Sequence, residues 1–148
     1  MKTSRATLVL ITLTFLGFAG ACCGLLNPAS RLYGTWKLDI DTSIDRAAGG
    51  NDIQAGLMRA AWGMIGGDVT VEFRSDGTGS FSGNSMFGAG QQEGKWELVS
   101  AEGDMLTIEV VNQDGQIRKV DIRMIDPDTL EIDTGEGPID TVVFRRQK

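Results

Sequence analysis

"YGTWKLDI", residues 33–40, alternates apolar and polar side chains behind a Gly-x-Trp, and its reading decides the fold. Leu32, Gly34, Trp36, Leu38 and Ile40 share one parity, while Tyr33, Thr35, Lys37, Asp39 and Asp41 share the other, which is the pattern of a strand with one dry and one wet face. The same period of two resumes after residue 68. "DVTVEFRS" sets Val69, Val71 and Phe73 inward, and Asp76-Gly77 turns the chain into "TGSFSG". "GKWELVS" carries Trp96 and Leu98. The turn Glu102-Gly103-Asp104 leads to "MLTIEVV", Asp114-Gly115 to "IRKVDIRMI", Asp126-Pro127-Asp128 to "TLEID", and "TVVFRR" closes the series. Strands joined by such short turns form an antiparallel meander. Eight of them predict an all-β fold, an up-and-down eight-stranded β-barrel, because closure removes the edges that an open sheet of this size would expose. A two-sheet sandwich is the competing architecture.

One segment breaks the period. "NDIQAGLMRAAWGMI", residues 51–65, sets Ile53, Leu57, Ala60, Ala61 and Met64 at helical spacing, with Asn51 or Asp52 as N-cap and Gly66-Gly67 as the stop. Met58, Trp62 and Ile65 form a second apolar row. The two rows cover more than half the helix, so it needs cover on two sides or leaves a patch exposed. The sequence therefore predicts one α-helix between the first and second strands. "SGNSMFGAGQQEG", residues 82–94, reads as a loop with Met86 and Phe87 at an apolar tip.

The N-terminus carries an export signal. Lys2 and Arg5 precede an apolar run of about 14 residues, short of the roughly 20 needed to span a bilayer. Residues 1–21 are thus expected to be a signal peptide, and residues 22–30 a tether to a domain over 31–148. "AGAC", ending at Cys22, resembles the lipobox of bacterial lipoproteins, in which that Cys is acylated, although Ala19 stands where Leu is usual. The same tripeptide also suits ordinary secretory cleavage, so the product is either lipid-anchored to the cell envelope through Cys22 or secreted. Both cysteines of the chain, Cys22 and Cys23, lie at this junction, leaving the domain without a disulfide framework.

Charge and composition narrow the function. The 148 residues carry 14 Lys/Arg and 20 Asp/Glu, a net of -6, and removing Lys2 and Arg5 takes the product to -8. Nucleic acid is not an expected partner, and any membrane attachment rests on acyl chains rather than basic residues. With 0 His, and both Cys outside the domain, the usual nucleophilic triads and zinc sites have no donors. The carboxylate pairs Asp39/Asp41, Asp126/Asp128 and Glu131/Asp133 fall at i, i+2 on wet faces or turns, as solubilising charge. No catalytic residue, metal ligand or cofactor is assigned, and the protein is expected not to be an enzyme.

Gly34-Thr35-Trp36, the turn Asp76-Gly77-Thr78, a second Gly-x-Trp at Gly94-Lys95-Trp96 and the closing "FRR" together resemble the lipocalin-like domains of the calycin group, and more closely the small acidic lipid-anchored proteins of bacterial envelopes. The resemblance implies that Trp36 plugs one barrel end behind Gly34, with Arg145 or Arg146 lying across its ring. It also implies binding or carriage of a small apolar ligand. Met58, Trp62, Met86 and Phe87 are the candidate ligand-binding residues, ringing one mouth with the helix as lid; the alternative is a helix that plugs a filled barrel, leaving a protein-interaction or inhibitor module at the envelope.

Overall fold

The computed structural model describes residues 27–65, 67–83, 90–135 and 139–148. The expected signal peptide, Cys22, and the candidate residues Met86 and Phe87 lie outside the described residues. Eight strands close into an all-antiparallel, up-and-down barrel in chain order: β1 (Gly34–Leu38), β2 (Thr70–Phe73), β3 (Thr78–Gly83), β4 (Gly90–Glu102), β5 (Met105–Val111), β6 (Ile117–Asp126), β7 (Thr129–Asp133) and β8 (Thr141–Arg146). Closure is made by β1, where Trp36 lies opposite Val71 of β2 on one side and Arg146 of β8 on the other. The expected alternation holds: Trp36, Phe73, Trp96, Leu106, Ile108, Ile122, Met124, Leu130 and Phe144 turn into one shared core.

Two turns show why the strands pair in this register. In each Asp-Gly turn the glycine has a positive φ, 79° at Gly77 and 76° at Gly115. The loops are closed by Arg74 N–H donating to Thr78 O at 2.9 Å and by Asn112 N–H donating to Gln116 O at 3.0 Å, the three-residue hairpin with glycine in the left-handed position. Asp76 accepts from the Thr78 amide and hydroxyl, and these bonds, against a smaller opposing effect of desolvation, hold its carboxyl below the ordinary value.

Three expectations are corrected. First, two helices, α1 (Ile40–Ala47) and α2 (Asp52–Ile65), stand between β1 and β2 in place of one. The strand stops at Leu38 because Asp39 caps a helix, its carboxylate accepting from the Thr42 amide at 3.1 Å and the Thr42 hydroxyl at 2.8 Å. Second, the tether does not extend to residue 30: Pro28–Arg31 form a 3-10 turn whose Ala29, with the following Leu32, is buried in the barrel core. Third, β3 runs to Gly83 and β4 starts at Gly90, so most of the expected 82–94 loop is strand.

α1 lies against the outer face of β8. Ser43 is fully buried there; its hydroxyl donates to Asp39 O at 2.7 Å and accepts from Val143 N–H at 2.8 Å. Ile44 and Val143, both fully buried, fill the seam, and Arg46 pairs with the buried Glu131 of β7. α2 packs on α1 through Ala55, Met58 and Trp62, and Arg59 spans to Asp41 and Asp45.

Candidate functional site

The two ends of the barrel differ. At one end Trp36 is fully buried, its indole N–H donating to Leu32 O at 2.7 Å. The Arg146 guanidinium lies over the ring, 4.2 Å from its centroid, which resolves the choice between the two arginines; such a stack contributes about 0.5–2 kcal/mol. Arg146 also donates to the carbonyls of Tyr33, of Arg31 at 2.8 Å and of Pro127 at 3.0 Å, tying the 3-10 turn to the barrel rim. Gly34 has a φ of 125°, which L side chains rarely adopt, so the glycine of Gly-x-Trp is required by the backbone, and a Cβ there would also crowd Arg146 Nη1 at 2.9 Å. Arg145, the other candidate, reaches outward to Asp39 at 2.5 Å.

Toward the opposite end the interior is hollow. A cavity of about 420 Å³ lies above Trp96 and Phe73, walled by Val71, Val110, Val120 and Val142 among others. Its size falls within the range of small-molecule sites. Two features create the space. Beside Phe81, the inward side chains of this half include the short Val69, Val71, Val110, Val120 and Val142, and Gly79 and Gly94, direct cross-strand partners, leave the wall bare between β3 and β4. A Cβ on Gly79 would come within 2.8 Å of Glu72 O, and one on Gly94 within 2.7 Å of Val111 O. The glycines thus let neighbouring backbones close up. Trp96 is held as a rigid floor: its indole N–H donates to Thr78 O at 2.9 Å, and its ring meets Phe73 edge-on at 5.2 Å and Tyr33 at 6.0 Å.

Three charged residues that border this interior turn away from it. Glu72 alternates with inward Val71 and Phe73, and Glu93 and Lys95 flank inward Gly94, so these three face away and border the cavity through the bare backbone. Glu72 is held by Arg74 at 2.6 Å and Ser80 at 3.2 Å; these bonds, with Arg74 foremost and desolvation opposing, keep its carboxyl below the ordinary value.

Of the ligand-binding candidates, Met58 and Trp62 pack half-buried on α1 beside Ile139, and neither lines the cavity. Among the described residues α2 is covered on that side, while on its other side Ile53, Leu57 and Met64 are 79%, 68% and 88% exposed. Gly79 and the rim residue Arg118 carry no sequence motif, and Gly94 stands in the second Gly-x-Trp, which marks a strand start without pointing to a bare wall. Inward parity alone would have found Arg118, which follows the row Ile122, Val120 outward along β6. Among the described residues no helix is long and apolar enough to cross a membrane, and no cluster of three His, Cys, Asp or Glu is placed to hold a metal.

No protein-family model and no curated protein matches the chain. A solved structure, a DUF4847 family protein from Bacteroides vulgatus, is similar at 20% identity and a TM-score of 0.43, covering 79% of this chain and 96% of that one. A likeness of that degree adds nothing to the fold, which rests on the strand pairing itself.

Proposed function

We propose that this protein is a non-enzymatic binding or carrier domain that takes one small apolar molecule into the barrel, in the manner of the lipocalin-like proteins its motifs resemble. The observation that carries the reading is the cavity of about 420 Å³, walled by apolar side chains and glycine at the end opposite the Trp36 plug. Hydrophobic burial supplies the affinity, at about 25 cal/mol per Å² of apolar surface removed from water before the costs of association. The N-terminal signal and Cys22 support export, with the domain anchored at the envelope by lipid or released.

The alternative of an interaction module with a filled barrel fits this interior less well. What favours it is the apolar line of Ile53, Leu57 and Met64 on α2. The test of carriage is direct. Organic extraction of the purified protein followed by mass spectrometry is expected to release a bound apolar compound, or decan-1-ol added to the emptied protein to change the emission of Trp96. A protein that carries nothing and responds to no apolar probe would overturn the proposal.

A further inference from the structure

Four inward positions toward the open end are polar: Gln92 on β4, Arg118 on β6, and Asn112 and Thr134 just past the ends of β5 and β7. Two of the four are occupied by the turns they stand in. Asn112 Oδ1 accepts from the amides of Asp114 at 3.1 Å and Gln116 at 2.8 Å. The Thr134 hydroxyl bonds to the carbonyls of Ile139 at 3.2 Å and Asp140 at 3.1 Å. Arg118 is different. Arg46, Arg59, Arg74, Arg145 and Arg146 each face a carboxylate; Arg31, Arg118 and Arg123 face none among the described residues, and of these three Arg118 alone borders the cavity. Its cross-strand neighbour is Val110, its sequence neighbour on the outer face is Lys119, and its own parity leads down to Val120 and Ile122 in the cavity wall.

In a chain of net charge -6, a guanidinium with no acidic partner among the described residues, at the lip of a hollow whose other charged neighbours face away, is a local reversal of sign. From these positions we infer that the ligand is a single-chain amphiphile whose anionic head, a carboxylate or phosphate, is held by Arg118 while its alkyl tail fills the cavity above Trp96. The planar fork of an arginine matches either oxyanion with two parallel hydrogen bonds. The dimensions agree. Arg118 to Ile122 is four residues of strand, roughly 13 Å of wall at about 3.3 Å per residue. A methylene takes about the space of a water molecule, ~30 Å³, so the hollow suits a tail of about a dozen carbons. This inference rests on the carriage reading above and sharpens it by naming the head group.

Calorimetric titration of the purified protein with decanoate, decyl phosphate and decan-1-ol, each below its micellar concentration, tests it. Both anionic probes are expected to bind roughly five- to tenfold more tightly than the alcohol, the tighter of the two identifying the head. Arg118→Gln should erase that advantage without changing alcohol affinity or the melting temperature, and Arg118→Lys should restore part of it. Lengthening the tail from eight to ten carbons should tighten binding about fourfold per methylene in wild type and variant alike. If the alcohol binds as well as the anions, or if Arg118→Gln leaves their advantage intact, the head-group assignment falls while carriage stands. If none of the three binds, carriage itself fails and the assignment with it.

Discussion

In the lower half of the barrel the inward rows carry Trp36, Leu106, Met124 and Leu130; in the upper half the same strands continue as Leu38, Val110, Val120 and Ile132, with Gly79 and Gly94 on the strands between. Period, pairing and hydrophobicity are alike in both halves. What differs is side-chain volume against the fixed circumference of eight strands, together with the caps. The lower end is stopped by Ala29 and Leu32 of the 3-10 turn and strapped by Arg146. An eight-stranded barrel is just wide enough to be filled by its own side chains, so replacing large residues by valine and glycine in one half converts core into cavity. Stability is concentrated at the solid end, and the capacity to bind something else is built into the hollow one.

Substitutions at the two ends are expected to behave oppositely. The largest effect is predicted for Trp36→Ala, which removes the plug and leaves Arg146 without its aromatic face. Urea denaturation should show a loss of about 3–5 kcal/mol, a large part of the stability of a domain this size. A loss under ~1 kcal/mol would mean that the lower end is not the solid one.

Asp39→Ala comes next, at the junction between wall and helices. It removes the cap of α1 and the partner of Arg145, and should cost about 1–2 kcal/mol at neutral pH. Partial burial disfavours the charged carboxylate, but hydrogen bonds from Arg145 and from the Thr42 amide and hydroxyl outweigh it and hold the pKa of Asp39 below its ordinary value. A lowered native pKa means that this stabilisation is present above the unfolded value, near pH 4, and is lost as pH falls through the native one. The melting temperatures of wild type and Asp39→Ala should therefore converge in acid. A gap that stays constant from pH 7 to pH 2 would assign the effect to packing instead.

The smallest effect on stability is predicted for Val120→Phe in the upper wall. Enlarging a residue in a filled core costs about 1–3 kcal/mol, but here the added ring enters open space, so the change should stay under ~1 kcal/mol while binding of decan-1-ol is lost. A cost in the filled-core range would show that the upper half closes up in solution and would erase the contrast between the ends.

Much of this was legible in the residues. The dry parity beginning at Leu32, the Asp-Gly turns and the two Gly-x-Trp starts led to an eight-stranded meander, and Trp36 with an arginine from "FRR" was anticipated as the plug. α1 is hidden in the sequence because Ile40 and Asp41 continue the alternation of the strand before them; the deciding event is the Asp39 side chain turning back to Thr42, a local hydrogen bond that competes with strand continuation. Met58 and Trp62 were read as rim residues because an apolar helix row signals burial without saying against what. In the folded chain α1 takes that row.

The amino-acid order by itself determined the strands, their antiparallel succession and the identity of the inward rows, because these depend on alternation and turn chemistry within a few residues. Only the tertiary structure decided which apolar row meets which, that Arg146 and not Arg145 covers Trp36, and that a hollow of about 420 Å³ is left above Trp96. Those outcomes depend on how volumes from eight strands add across the barrel axis, a sum over residues far apart in the chain that no local pattern records.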